Sequence, residues 1–101
     1  MILAIDCGNT NTVFALYTLN NQINQLTSWR INNDSKRTAD LYYPWLLKMF
    51  EISKFDITSV TGISIASVVP ETLVNIKSLI KKYFKVKTLI VNEKILDLGI
   101  K

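Results

Sequence analysis

The stretch Ile2-Leu3-Ala4-Ile5-Asp6-Cys7-Gly8-Asn9-Thr10-Asn11-Thr12 restricts what this chain can fold into more than any other segment. An apolar run of strand composition ends in a carboxylate and is followed by one glycine and a set of amide and hydroxyl side chains. Val13-Phe14-Ala15-Leu16-Tyr17 then leads away as a second strand. Gly8 lets the backbone turn where a Cβ would clash, and the N–H and hydroxyl donors after it can converge on an anion, as in a phosphate-binding turn. The plain alternative is a hairpin in which Asn and Thr serve only because they tolerate turn geometry. Asp6 weighs against that alternative, because a carboxylate ending an apolar strand is costly to bury without a task. A task exists: such an acid can hold a hydrated magnesium ion while neighbouring donors hold nucleotide phosphates.

Composition narrows the chemistry. With 101 residues, 49% of them hydrophobic, the chain has the size of one small domain with a real core. No apolar run approaches the roughly 20 residues of a membrane span, and the opening Met1-Ile2-Leu3-Ala4-Ile5-Asp6 has neither the basic head nor the cleavage site of a signal peptide. A cytoplasmic protein is expected. Cys7 is the one cysteine, so no internal disulfide and no paired-cysteine zinc site can form, and with no base to activate it Cys7 reads as a small apolar strand-end residue. The absence of histidine removes Ser-His and Cys-His catalysis and imidazole metal sites, which leaves carboxylates and a magnesium-type ion. The net charge of +4 does not argue for nucleic acid. Lys77, Lys81 and Lys85, with Lys82 and Lys87 nearby, describe the wet face of one helix, while Tyr83 and Phe84 fall in register with Leu73, Ile76 and Ile80 on its apolar face.

Taken in order, the chain divides into a meander and an alternating half. Strands are expected over Met1 to Cys7, Thr12 to Leu19 and Ile23 to Ile31, with turns at Gly8-Asn9 and Asn20-Asn21. A polar connection, Asn32-Asn33-Asp34-Ser35-Lys36-Arg37, leads to Thr38 as N-cap. Leu41, Tyr42, Trp45, Leu46, Met49 and Phe50 then recur at helical spacing between Thr38 and about Lys54. Val60 to Val69 is an apolar strand, Pro70 to Phe84 a helix with Pro at its first turn, and Val86 to Val91 a last strand. Three antiparallel strands followed by helix, strand, helix, strand is the order of a ribonuclease-H-like α/β domain with a mixed five-stranded sheet.

Four motifs in this order and spacing, Ile5-Asp6-Cys7-Gly8-Asn9-Thr10-Asn11-Thr12-Val13, Trp29-Arg30-Ile31, Arg37-Thr38-Ala39-Asp40 and Ser67-Val68-Val69-Pro70, resemble the amino-terminal domain of the type III pantothenate kinases. The resemblance covers nearly the whole chain. It implies membership of the superfamily of acetate and sugar kinases, heat-shock chaperones and actin, in which two ribonuclease-H-like domains enclose ATP, with residues 1–101 as the amino-terminal domain. It further implies ATP-dependent phosphorylation of pantothenate to 4'-phosphopantothenate, the first step of coenzyme A synthesis. By the same resemblance, Asp6, Cys7, Gly8, Asn9, Thr10, Asn11, Thr12 and Val13 match the motif that contacts the ATP phosphates, and Asp6 matches the magnesium-side carboxylate, acting through water. A monovalent cation, potassium or ammonium, and a homodimer are expected of the complete enzyme. Ser67-Val68-Val69-Pro70 lies at the carboxyl end of a strand, where open sheets place ligands, and reads equally as an ordinary strand-to-helix connection.

Two departures from the family pattern stand out. Leu41 replaces a common Glu, which removes the reciprocal capping box with Thr38. The sequence also ends at Lys101, before the family's Gly-Ala-Asp-Arg segment that holds pantothenate and supplies the base, before the second phosphate motif and before the monovalent-cation carboxylate. The catalytic base is therefore expected outside these residues, on a separate carboxyl-terminal chain if the gene is split, and the isolated chain is expected to be inactive. A noncatalytic remnant or nucleotide-binding module of the same fold is the alternative. A ribonuclease-H nuclease is disfavoured, because its two-metal chemistry needs further carboxylates and Gly62 to Val69 contains none. No Gly-x-Gly-x-x-Gly or Walker sequence occurs.

Overall fold

The computed structural model describes residues 1–19, 22–67 and 69–92 and places the opening apolar run in a strand, β1 (Ile2–Cys7). β2 (Asn11–Leu19) and β3 (Ile23–Asn32) complete the meander, followed by α1 (Ala39–Ile52), a short 3-10 turn at Ile57–Ser59, β4 (Gly62–Ser67), α2 (Pro70–Tyr83) and β5 (Lys87–Asn92). The five strands form one sheet in the order β3-β2-β1-β4-β5. β1 runs antiparallel to β2 and parallel to β4, and β5 is parallel to β4. This is the mixed sheet and element order expected from the sequence. The Asn20-Asn21 turn and Val68 lie outside the described residues, as does the chain beyond Asn92. The 3-10 turn, capped by the Asp56 side chain accepting from the Thr58 amide, has no counterpart among the expected elements.

Period-two alternation divides the sheet into a covered and an open face. Leu3, Ile5 and Cys7 of β1, Phe14 and Leu16 of β2, and Ile63 and Ile65 of β4 are buried in one cluster with Tyr42, Leu46 and Phe50 of α1 and Ile76, Leu79 and Ile80 of α2. Both helices therefore lie on the same side. Ile2, Ala4 and Asp6 take the other face with Val13, and Asp6 is exposed. The burial expected of that carboxylate does not occur, because neither helix covers its side of the sheet.

The helices follow their apolar stripes with two adjustments. On α1, Tyr42, Leu46 and Phe50 are buried and Trp45 and Met49 half-buried, but Leu41 is 60% exposed and outside the core. On α2, Ile76, Ile80 and the following Phe84 are buried as expected. Leu73 and Tyr83 are only half-buried, and Thr72 and Leu79 fill the stripe instead. Thr38 occupies the N-cap position of α1, yet its side chain makes no capping hydrogen bond. Pro44 stands inside α1 and cannot donate to the carbonyl of Asp40 one turn earlier. Where α1 meets α2, Tyr43 stacks on Tyr83 at 4.0 Å, and Asp40 accepts from Lys82 at 2.6 Å and from the Tyr83 hydroxyl. Lys82 foremost, then Tyr83, holds the Asp40 carboxyl below its ordinary range. Lys77 and Lys81 are exposed on α2, as the helical spacing requires, whereas Lys85 and Lys87 are exposed beyond its end at Tyr83, Lys87 as the first residue of β5, so the expected single helical face stops short of them.

One irregularity sets which side of β3 faces the helices. Leu19 pairs with Ile23 and Tyr17 with Gln25, but Leu16 pairs with Thr27, so Leu26 is an extra residue and the register shifts there. Without that bulge Val13 would face Trp29, and Arg30 would turn toward the core. With it, Trp29 lies opposite Phe14 on the covered face, its ring 5.0 Å from Phe50 and its Nε1 donating to Ser53 Oγ at 3.0 Å.

Phe14 sits fully buried against Trp45 at 5.4 Å and Tyr42 at 6.3 Å. Phe14→Ala should therefore cost about 3–5 kcal/mol in urea unfolding followed by far-UV dichroism. Leu41→Ala, at an exposed position, should stay within about 0.5 kcal/mol of the parent. Equal losses for the two would contradict the placement of the core.

Candidate functional site

The carboxyl end of β1 and the start of β2 meet at Gly8 to Asn11, where the Gly8 amide donates to the Asn11 carbonyl at 2.9 Å. A Cβ on Gly8 would stand 3.1 Å from that carbonyl oxygen, a tight contact, so glycine is favoured here by close approach rather than by an unusual backbone angle. Cys7 pairs with Thr12 in the ladder. The turn is thus a four-residue connection rather than a tight Gly8-Asn9 hairpin. At its tip, the amides of Asn9 and Thr10 have no hydrogen-bond partner among the described residues. Two such unpaired N–H groups are donors available to an anion.

Asn33, in the connection after β3, holds this turn. Its side-chain amide donates to the Gly8 carbonyl at 2.7 Å, its Oδ1 accepts from the Thr12 hydroxyl at 2.7 Å, and its backbone amide donates to the Thr10 carbonyl at 2.8 Å. Three bonds from one residue tie down both arms and the tip. Asn33 was visible in the sequence only as part of a polar connection. The signal that could identify it is its place just beyond a strand whose partner strand begins beside the turn.

A polar cavity of about 240 Å³ opens on this turn, lined by Asp6, Gly8, Asn9, Thr10, Asn11, Val13 and Arg30. Six of the eight residues expected at the site thus surround one space. The other two are turned away. Cys7 and Thr12 are 0% exposed on the covered face, so any contact they make with a ligand is through the backbone. The Thr12 hydroxyl is committed to Asn33, and burial pushes the Cys7 thiol up, against the smaller opposing effect of the Thr12 and Ser67 hydroxyls. Asp6 faces the cavity from the open side of the sheet, with its carboxylate accessible to solvent.

Ser67 is not part of this cavity. Its Oγ accepts from the Val69 amide and donates to the Val69 carbonyl, both at 3.1 Å, which closes the step from β4 into α2. Val69 is the N-cap residue of α2 and Pro70 stands in its first turn. Among the described residues of Ser67 to Pro70, the geometry is that of a local strand-to-helix connection.

The arrangement combines an accessible carboxylate, unpaired turn amides, amide and hydroxyl side chains and one guanidinium around a cavity at the carboxyl end of the central strand. These groups suit an anionic ligand that carries a hard cation. Comparison with known proteins agrees in kind. The family model described as type III pantothenate kinase matches residues 2–101. The type III pantothenate kinase of Zymomonas mobilis is 45% identical over 100 residues, covering 99% of this chain and 35% of that protein. That of Maricaulis maris is 42% identical over 93 residues, covering 92% and 35%, and that of Paramagnetospirillum magneticum is 41% identical over 103 residues, covering 99% and 37%. The chain spans a little over a third of the length of these relatives.

Asn33→Ala removes the acceptor of the Thr12 hydroxyl proton and the side-chain donor to the Gly8 carbonyl, and should lower stability by about 1–3 kcal/mol. Amide exchange at Gly8 should accelerate more than in α1; uniform acceleration would show that Asn33 does not act on the turn specifically. The buried Cys7 thiol should react with a thiol reagent at pH 8 only as fast as the chain opens. Because its folded value is raised, the unfolded thiol ionises first as pH climbs. The Cys7 contribution to stability should therefore be intact below the ordinary thiol range and fall above it, and Cys7→Ala should flatten that part of the unfolding-versus-pH profile.

Proposed function

This chain belongs to the type III pantothenate kinase family, and on that premise we propose that it forms the amino-terminal, ATP-phosphate-binding domain of a two-domain pantothenate kinase. The observation that carries the proposal is the polar cavity in which Asp6, Gly8, Asn9, Thr10, Asn11 and Val13 come together around a turn braced by Asn33. The reaction is transfer of the terminal phosphoryl group of ATP to the hydroxyl of pantothenate. Charge spread over phosphate oxygens is the main demand on the protein, so positioning and electrostatic stabilisation do most of the work.

In this assignment the amides of Asn9 and Thr10 donate to phosphate oxygens, and the side chains of Thr10 and Asn11 supplement them. Gly8 keeps the backbone close enough for that approach. Asp6 fits a magnesium ion, because its carboxylate is accessible in the same cavity as Asn9 and Thr10 and magnesium takes one or two carboxylates together with waters and phosphate oxygens. When bound, that ion would neutralise charge developing between the phosphates. Asp6 would be the residue that holds it, and Asn33 would keep the turn in place as the charge shifts. Acceptor binding, the base that takes the hydroxyl proton, a potassium or ammonium site and the dimer contact belong, in this proposal, to the remaining length represented in the relatives. The noncatalytic alternative keeps the fold and loses only the reaction.

Two measurements test this. Titration of the chain with ATP should give weak saturable binding strengthened by magnesium, and Asp6→Asn should remove the magnesium dependence while leaving the unfolding midpoint unchanged. Binding indifferent to both would reject the phosphate-site assignment. Mixed with a separately produced carboxyl-terminal chain of a full-length relative, ATP, magnesium and potassium, the protein should form phosphopantothenate only when both chains are present, and Asp6→Asn should lower that turnover by orders of magnitude. Association of two folded chains without product would instead favour the noncatalytic alternative.

A further inference from the structure

Among the described residues, Arg30 is the one cationic side chain on the wall of the Asp6 cavity, and the site assigned above leaves it without a role. Its position follows from register. Asp6 pairs with Val13, and Val13 pairs with Arg30, so the three share one row across β1, β2 and β3 on the open face of the sheet. Two strand spacings separate Asp6 from Arg30, about 10 Å between backbones. The guanidinium has neither an ion pair nor a hydrogen bond among the described residues, and Arg30 is exposed. A carboxylate and a guanidinium therefore face one cavity from opposite sides without closing on each other, and Asn9 and Thr10, whose amides have no hydrogen-bond partner among the described residues, line it as well.

We propose that Arg30 binds the polyphosphate chain of the nucleotide from the side opposite Asp6, taking phosphate oxygens on its planar fork and setting a preference for a triphosphate over shorter phosphates. The proposal rests on the phosphate-site assignment for Asp6 to Val13. The physical logic is charge division. The carboxylate of Asp6 repels bare phosphate and tolerates it only through a cation, so the opposite wall needs fixed positive charge to hold oxygens that the cation does not reach. Guanidinium suits that need because it presents paired donors and keeps its charge at every working pH. The extra residue Leu26 in β3 matters here, because that bulge sends Trp29 to the core and Arg30 to the cavity. The competing role for such a residue is an edge-strand charge that deters sheet-to-sheet association. That role predicts no effect on ligand binding.

The test is calorimetric titration of the whole chain, and of Arg30→Gln and Arg30→Lys, with ATP, ADP and inorganic tripolyphosphate, each with magnesium. Arg30→Gln should weaken ATP and tripolyphosphate by about tenfold to a hundredfold, as expected for losing a charge-assisted hydrogen bond. ADP should weaken less. Arg30→Lys should restore part of the loss, since charge returns without the fork, and the salt dependence of tripolyphosphate binding should be shallower in Arg30→Gln. An unchanged unfolding midpoint in both variants will show that the loss is not a folding defect, as an exposed position predicts. Parent-like ATP and tripolyphosphate affinity in Arg30→Gln, with Asp6→Asn still abolishing the magnesium dependence, would overturn the role of Arg30 and leave the phosphate site standing. Absence of polyphosphate binding by the unaltered chain would overturn both.

Discussion

The structure depends on β1 being hydrogen-bonded on both sides while, among the described residues, the helices cover only one of its faces. Antiparallel pairing to β2 and parallel pairing to β4 hold the strand at the centre of the sheet, where it cannot slip without breaking two ladders. Burial of Leu3, Ile5 and Cys7 beneath α1 and α2 then leaves the alternate residues on the other face. Asp6 reaches solvent at the strand's carboxyl end for that reason. The same constraint that builds the core delivers a charged group to an open cavity, without the cost of burying it.

The turn after β1 is tied down by a residue distant in sequence. Four-residue connections rich in Asn and Thr have many accessible conformations, and the one adopted here is selected by the three hydrogen bonds of Asn33. That brace couples the cavity to the meander as a unit, since the pairing of β3 with β2 is what places Asn33 beside Gly8. Preorganised donors cost no reorganisation when an anion binds, which is the condition for such a turn to serve catalysis rather than only binding. The clasp of Asp40 with Lys82 and Tyr83 joins α1 to α2 but is exposed, so it orients the helices more than it stabilises them.

The positive charge of the chain divides along the same lines. The exposed lysines of α2 and its surroundings lie on and beyond the helical layer, whereas Arg30 stands on the opposite side of the sheet, in the cavity. A net charge of +4 therefore says little about the ligand, and the position of one arginine says more. Membership of the type III pantothenate kinase family rests on a match along nearly all of the chain, and the fold agrees with it in strand order and in the place of the turn.

The sequence by itself determined the order of strands and helices, because period-two and helical spacings of apolar residues are local properties that survive without knowledge of the partners. It also determined the chemistry of the turn, since Asp6, Gly8 and the Asn and Thr residues after it are adjacent in the chain. Tertiary structure decided what adjacency cannot encode. Whether Asp6 is buried depended on which face the helices cover, and Cys7 and Thr12 were drawn into the core by the alternation that left Asp6 outside. Asn33 and Arg30 came to the site only through the pairing of β3 with β2, and a pairing without the extra residue Leu26 would have set Trp29, not Arg30, opposite Val13. The bulge at Leu26 settles that register because Trp29 gains a packed, hydrogen-bonded place against Phe50 and Ser53, and the energy of that contact lies between segments more than twenty residues apart.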